Sequence, residues 1–186
     1  MHAYYNDDFY AIVFIAIIVF MLIFVVAGIV YYICYGISHY RALKNLGYSN
    51  AWLVWLPVVN QFALAEGTGV EYVDILGKQI HMKYFRFWWV LALLLVSIPM
   101  VGTMLSALLT IFCKGWCYST IYARLENKDT SQTQVIGYIS AWLTVIAVFK
   151  LWYDNKNYTK GLNYSGTYDY GTYDYEPYND DNRYNY

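Results

Sequence analysis

Long stretches without charged residues, separated by short charged segments, dominate the first 153 residues of the chain. Residues 9–38 contain no Asp, Glu, Lys, Arg or His. A membrane-spanning helix needs about 20 predominantly apolar residues, so this stretch is long enough. Tyr10 at one end and Tyr31 and Tyr32 at the other fit the aromatic belts of the two membrane surfaces. We predict a first transmembrane helix at residues 9–38, preceded by a short acidic extracellular N-terminus at residues 1–8.

The second apolar segment, residues 50–65, is interrupted near its middle by Pro57. Proline removes a backbone donor and disfavours helical geometry in the preceding residue. Asn60 and Gln61 follow the proline within the uncharged run. Inside a membrane, the freed backbone groups need partners from neighbouring helices or a water-filled cavity. The pattern therefore predicts either a kinked spanning helix or a re-entrant segment.

Two further apolar segments follow, at residues 87–122 and 133–153. The first contains Pro99, and the whole stretch is too long for one unkinked span, which predicts either a bent helix or a hairpin at the proline. The second has just sufficient length for a final helix. Between the second and third apolar segments, residues 72–81 are compatible with a short interfacial helix.

These segments together predict an all-α, polytopic membrane protein with three or four transmembrane helices in a domain at residues 9–153. From residue 154 onward the composition changes to Tyr, Asp, Asn, Gly and Thr, and GTYDY occurs twice in tandem. Such a segment cannot bury enough apolar surface to offset its ordering entropy. We predict a disordered tail at residues 154–186, in which four tyrosines of the tandem repeat are candidate interaction residues: Tyr168, Tyr170, Tyr173 and Tyr175.

The distribution of Lys and Arg predicts the orientation, because cytoplasmic loops of membrane proteins carry an excess of these residues. The N-terminal flank has none and is expected outside. Four full crossings would leave five of the bases between Arg41 and Lys160 inside and six outside. A re-entrant Pro57 segment would leave eight inside and three outside. The count favours the re-entrant arrangement and a cytoplasmic tail.

A group of motifs resembles small multi-pass membrane proteins of bacteria, mostly Gram-positive, whose function is uncharacterised. The motifs are a Gly-aromatic turn at Gly47-Tyr48, the pair Ala51-Trp52 and the break Leu56-Pro57-Val58-Val59-Asn60. The tryptophan pair Trp88-Trp89 and a second break at Ile98-Pro99 follow, with Gly102 where Asn is usual. The resemblance covers roughly residues 40–153. It implies a location in the bacterial cell membrane and no particular activity.

The Pro57 break also supplies the candidate binding residues Pro57, Asn60, Gln61 and Glu66. Broken helices at membrane depth can line substrate or ion paths, because unwound backbone groups coordinate the solute. The same polar residues could instead hydrogen-bond to neighbouring helices and satisfy the carbonyl freed by the proline. Cys113 and Cys117 lie four residues apart, but a structural zinc site takes about four ligands at recognisable spacing. We expect inert buried thiols there, and neither a metal nor a cofactor.

Net charge and motifs narrow the functional classes. A formal net charge of -1 without a basic stripe gives no indication of nucleic-acid binding. The chain has no G-x-S-x-G, H-E-x-x-H, P-loop or dinucleotide fingerprint, which leans against an enzyme. The leading hypothesis is a non-enzymatic membrane protein that contacts the lipid bilayer and uses its tail for a protein partner or for self-association, as a scaffold, accessory subunit or envelope-associated factor. The alternative is a small oligomeric transporter or channel built on the Pro57–Gln61 break.

Overall fold

The computed structural model of the protein describes the backbone of residues 2–75 and 78–158, and the side chains from residue 9 onward within those ranges. The described chain is mostly helical, with a short 3-10 helix at Ala51–Trp55. The α-helices are α1 His2–Asn45, α2 Val59–Gly67, α3 Met82–Phe85, α4 Trp88–Val96, α5 Val101–Glu126, α6 Thr130–Trp142 and α7 Thr144–Asn157. Two strands, β1 Tyr72–Ile75 and β2 Lys78–His81, lie between α2 and α3.

The chain divides into two compact units, Met1–Ile37 and Ser38–Tyr186. The first unit consists of most of α1, which begins before the predicted boundary at residue 9 and continues past residue 38. Its apolar side chains between Phe9 and Ile33 are exposed. Two helices, Phe9–Asn45 and Val101–Glu126, are long and apolar enough to cross a membrane. The three or four spans predicted from the sequence stay a prediction.

The prediction of a helix at residues 72–81 is wrong, because β1 and β2 pair there as an antiparallel two-stranded sheet. The register pairs Tyr72 with His81 and Ile75 with Lys78. Valine and isoleucine at alternate positions favour a strand, since branched side chains fit a pleated surface. Val73 on β1 is fully buried, whereas Asp74 beside it is exposed. The fold is therefore mostly helical and not purely α.

The second unit contains three places where the chain reverses direction. The first is at Pro57, between the 3-10 helix and α2. The second is at Pro99, between α4 and α5, where the Ser106 hydroxyl donates to the Ala92 carbonyl oxygen at 2.8 Å across the two helices. The third is at Leu143, so the segment predicted as one helix at residues 133–153 forms α6 and α7 instead, and α7 continues to Asn157, past the predicted start of the tail at residue 154. Pro99 thus forms a hairpin and does not kink a single helix.

Helices α5 and α6 run antiparallel and approach closely at Gly137, where a Cβ atom would lie 2.7 Å from the Gly115 carbonyl oxygen. Small residues allow such close helix approach.

Two apolar clusters hold the second unit together. The larger cluster includes residues of α1, α2, α5 and α7, among them Leu43, Leu64, Tyr118, Tyr122 and Leu151. The smaller cluster gathers Ala65, Val73, Phe85, Trp88, Cys113 and Cys117.

Candidate functional site

Glu66, near the C-terminal end of α2, lies at the centre of a polar junction. The Tyr48 hydroxyl donates a hydrogen bond to its Oε2 atom at 2.8 Å. The Arg86 guanidinium, just before α4, pairs with its Oε1 atom. The two side chains of the ion pair are 21% and 28% exposed, so the pair is largely removed from solvent. The junction therefore joins the loop after α1, the end of α2 and the start of α4.

Aromatic rings surround the guanidinium of this junction. The Arg86 Cζ atom lies 5.0 Å from the ring centroid of Phe62 and 5.1 Å from that of Phe87. A guanidinium within about 6 Å of a ring face gains cation–π attraction. The Nε atom of Arg86 is buried and has no hydrogen-bond partner among the described residues. One carboxylate and two rings thus hold this cation in place.

A second arginine links the end of α2 to α5. The Arg124 Nη1 atom donates to the Thr68 carbonyl oxygen at 2.6 Å. Gly69 allows this approach, because its φ is +64° and a Cβ atom there would overlap the guanidinium. Thr68 is two residues from Glu66, so Arg86 and Arg124 act on neighbouring parts of one segment. We call Tyr48, Glu66, Thr68, Arg86 and Arg124 the basal junction.

A third polar cluster joins the end of α5 to α7. The Lys150 ammonium pairs with Glu126 and with Asp154, whose Oδ1 atom lies 2.6 Å away. The side chain of Asp154 is 1% exposed. Burial raises the pKa of Asp154 above its usual range, against the opposing effects of the Lys150 hydrogen bond and charge and of the Lys128 charge. Asp154 Oδ2 has no hydrogen-bond partner among the described residues, which is consistent with the unfavourable burial.

A buried serine and histidine at the end of α1 do not form an accessible reactive site. The Ser38 hydroxyl lies 3.2 Å from His39 Nδ1, and His39 Nε2 lies 2.9 Å from the Tyr118 hydroxyl. All three residues are fully buried. The side chain of Asn155 also donates to the Ser38 carbonyl oxygen at 2.9 Å. These contacts tie α1 to α5 and α7, and a substrate has no access to them.

The structure places the predicted binding residues at opposite ends of α2. Pro57 is exposed at the chain reversal, and Val58 after it has a φ of +72°. Asn60 and Gln61 are half-buried in the first turn of α2, and Gln61 Oε1 has no hydrogen-bond partner among the described residues. Glu66 lies about 13 Å from the reversal, since α2 has nine residues at about 1.5 Å each. A transport path that uses all four residues stays a prediction.

The four tail tyrosines Tyr168, Tyr170, Tyr173 and Tyr175 lie outside the described residues. Cys113 and Cys117 are buried and not disulfide-bonded. Within residues 2–75 and 78–158, no group of three or more His, Cys, Asp or Glu side chains is placed to hold a metal ion.

The sequence suggested Glu66 as a candidate binding residue, which stays a prediction, but did not indicate that Tyr48 and Arg86 contact it or that Arg124 contacts Thr68 nearby. The pairing of Arg86 with Glu66 could have been predicted from the positions of the two residues in the sequence. Glu66 ends one uncharged run and Arg86 precedes the next. When two apolar segments both fold back on themselves, the opposite charges at their ends come together, and pairing compensates their partial burial.

The comparisons with known proteins found no family model, curated protein or solved structure that matches the chain.

Proposed function

We propose that the chain is a non-enzymatic integral membrane protein that acts through protein interaction, as a scaffold, accessory subunit or envelope-associated factor. The observation that carries this proposal is the continuous exposure of apolar side chains along α1, from Phe9 to Ile33. Monomeric soluble proteins rarely expose contiguous apolar patches of more than a few hundred Å². A bilayer hydrocarbon core of about 30 Å accommodates such a helix, because all its backbone hydrogen bonds are internal.

The distribution of basic residues supports an orientation with the N-terminus outside. All 12 Lys and Arg residues follow Tyr40, and none precedes it. Basic residues are enriched on the cytoplasmic side of membrane proteins. The tail then follows α7 on the cytoplasmic side, where tyrosines can give a partner large contact area at low entropic cost.

The polar groups of the second unit favour a structural role over catalysis. Glu66 is engaged by Tyr48 and Arg86, and Glu126 is engaged by Lys150 and Lys128. The Glu126–Lys150 pair connects α5 to α7, and the Glu66–Arg86 pair connects α2 to the residues just before α4. In the described part of the chain, many large apolar side chains are exposed instead, as expected for a protein whose contacts are with lipid and with other proteins.

A tail truncation tests the proposal. Tyr158 packs against the larger apolar cluster, so the truncation should remove residues 159–186 and keep Tyr158. We expect the truncated chain to insert into the membrane at the normal level. Chemical crosslinking in intact membranes should give a product of higher mass with the full chain and none with the truncated chain. The mass of the product distinguishes a second copy of this chain from another protein.

A full-length control distinguishes an effect of the tyrosines from an effect of tail length. In this variant Tyr168, Tyr170, Tyr173 and Tyr175 are all replaced by Ser. Loss of the crosslinked product in this variant would assign the interaction to the tyrosines. A crosslinked product that persists in the truncated chain, or a truncated chain that no longer inserts, would contradict the proposal.

A further inference from the structure

We propose that the second unit inserts three apolar helical hairpins into one leaflet of a lipid bilayer, from one side, and that α5 does not cross the membrane. The partner of this surface is lipid hydrocarbon. The inference concerns how Ser38–Tyr158 meets the bilayer, and it does not depend on a partner of the tail.

Each hairpin is closed at its base by a contact between residues far apart in sequence. The first hairpin, residues 49–65, is closed by the Tyr48–Glu66 hydrogen bond. The second, residues 86–115, is closed by Phe85 and Trp116, whose ring centroids lie 5.3 Å apart. The third, residues 127–149, is closed by the ion pair between Glu126 and Lys150. The chain must leave and return within each of these ranges.

The tips of the hairpins are apolar and exposed. Leu56 and Val58 flank Pro57 in the first tip and are 40% and 48% exposed. Met100 in the second tip is 83% exposed. Trp142 and Leu143 form the third tip and are 70% and 46% exposed. Large apolar side chains at the most protruding positions are unfavourable in water and favourable in hydrocarbon.

The first two hairpins point in the same direction because the basal junction ties their bases together. Glu66 pairs with Arg86 before α4, and Thr68, two residues later, accepts from Arg124 near the end of α5. Arg86 and Arg124 therefore lie at the same end of the unit, although α4 and most of α5 separate them in sequence. A crossing between them would place these two cations on opposite membrane surfaces.

The third hairpin points the same way because α6 runs antiparallel to α5. Thr133 on α6 donates to the Ser119 carbonyl oxygen at 2.7 Å, and Tyr138 further along α6 lies beside Phe112. The tip at Leu143 thus lies toward the N-terminal end of α5, as the Pro99 tip does. Ala65 on α2 belongs to the same apolar cluster as Cys113 and Cys117, whereas Thr68 contacts Arg124, which places the start of α2 toward that end too.

The lengths of the first two hairpins fit one leaflet. Helices α2 and α4 have nine residues each, or about 13 Å. Half of the hydrocarbon core is about 15 Å thick, and a full crossing needs about 30 Å. The exposed apolar part of α5, from Val101 to Phe112, measures about 17 Å, and the helix is mostly buried in protein from Cys113 onward.

The charges of the unit lie at the bases. No charged residue occurs within residues 49–65, 87–113 or 130–149. Trp88, Trp89 and Trp116 lie at the base of the second hairpin, where an aromatic belt is expected at the membrane surface. Because every Lys and Arg of the chain follows Tyr40, this arrangement puts all 12 Lys and Arg residues on one side of the membrane. With four full crossings, five of the eleven Lys and Arg residues up to Lys160 would lie on one side of the membrane and six on the other.

Cysteine accessibility tests the inference in the full chain. Cys34, Cys113 and Cys117 are replaced by Ala, and one cysteine is introduced at Gln79 or at Lys128, both exposed. These two positions flank the second hairpin. With a membrane-impermeant maleimide we expect the same behaviour at both: protection in intact cells and labelling after lysis. Labelling of one position and protection of the other in intact cells would mean that α5 crosses, and would overturn the inference.

Labelling of both positions in intact cells would keep the three-hairpin arrangement and overturn only the orientation given under the proposed function. A cysteine at Ser165 in the same background reports the side of the tail independently. The two proposals can therefore fail separately.

Spin labels at Val58, Met100 and Leu143 test the tips in vesicles of phosphatidylethanolamine and phosphatidylglycerol, with Gln79 as the matched aqueous control. We expect the three tips to be relaxed by dissolved oxygen and not by a soluble nickel chelate, and Gln79 to show the reverse. Relaxation of the tips by the nickel chelate would place them in water. Shielding from both reagents, with spin–spin broadening, would mean that a second copy covers the tips. Either result would overturn the inference.

Discussion

Replacing Gly137 with Ala should destabilise the second unit, because α5 and α6 touch at this residue. A Cβ atom at Gly137 would lie 2.6 Å from the backbone nitrogen of Ser119 and 2.7 Å from the Gly115 carbonyl oxygen, and would overlap the Ser119 hydroxyl. The hydroxyl can rotate away, but the backbone atoms of α5 can move only if the two helices separate.

The expected loss combines three terms. Overpacking of a well-packed core costs about 1–3 kcal/mol. The Ser119 hydroxyl donates to Gly115 at 2.7 Å, with a weaker contact to Gln134 at 3.3 Å, and rotating it away costs about 0.5–1.5 kcal/mol. The gain in helix propensity from Gly to Ala offsets about 0.5–1 kcal/mol. The net loss is about 2 kcal/mol, which lowers the melting temperature by roughly 4–8 °C in a protein of this size.

The assay is heating of the purified protein in a mild detergent, followed by size-exclusion chromatography of the soluble fraction. Gly28→Ala is the matched control, since a Cβ atom at Gly28 meets nothing within 4 Å in the first unit. We expect that control to melt no lower than the wild-type protein. If Gly137→Ala melts at the wild-type temperature, α5 and α6 are not packed as described, and the reasoning about their antiparallel contact is refuted.

Two further predictions concern the charged bases of the hairpins. Glu66→Gln removes the carboxylate that compensates the partly buried Arg86, and should cost about 1–2 kcal/mol by the same thermal assay, between the values of exposed and buried ion pairs. The control Lys128→Gln, at a side chain that is 52% exposed, should change stability by less than about 0.5 kcal/mol, and an equal effect of both would count against the basal junction. Because burial raises the pKa of Asp154, the folded chain holds this proton more tightly than the unfolded chain. The free energy of unfolding should therefore fall as pH rises from the ordinary carboxyl pKa of about 3.9 through the raised pKa of Asp154. Asp154→Asn should make the melting temperature depend less on pH over that range. An unchanged pH dependence in this variant would show that another group titrates.

The apolar pattern was sufficient to predict α1 and the positions of the two proline breaks. An unbroken apolar run of this length has few stable alternatives to a helix that meets hydrocarbon. The charge count favoured a chain return after Pro57 but left open whether the chain returns after Pro99, because a return depends on contacts between distant residues. The Tyr48–Glu66 hydrogen bond and the contact between the Phe85 and Trp116 rings close the two hairpins, and no single residue of these pairs indicates its partner.

The chain reversal at Leu143 could not be predicted from the sequence for a different reason. Its flanking residues, Trp142 and Thr144, include no proline or glycine, and the run up to Phe149 is uncharged, so the pattern predicted one continuous helix. Two side-chain contacts to one residue of α5 hold both arms of the reversed segment against that helix. Tyr122 on α5 donates to the Ser140 hydroxyl of α6 at 2.9 Å, and its ring lies 5.3 Å from the Lys150 ammonium of α7.

The two proline breaks share one backbone geometry, although only sequence similarity was evident beforehand. Val58 has φ +72° and ψ −53°, and Met100 has φ +60° and ψ −68°. In both turns the second residue after the proline donates to the proline carbonyl oxygen, Val59 at 2.9 Å and Val101 at 2.8 Å. A γ-turn with positive φ is rare and strained, at a cost of order 1–3 kcal/mol for a non-glycine residue.

The residue that follows each turn explains the one difference between the two breaks. Asn60 and Gly102 occupy the same position and donate to the carbonyl oxygens of Leu56 and Ile98. At Gly102 a Cβ atom would overlap the Leu95 carbonyl oxygen, since α4 and α5 approach closely just after the turn. Glycine is therefore required where the second hairpin closes tightly, and asparagine is accepted at the corresponding position of the first. A strained reversal used twice, each time with exposed apolar side chains at its tip, is consistent with a turn that is stabilised by lipid around it.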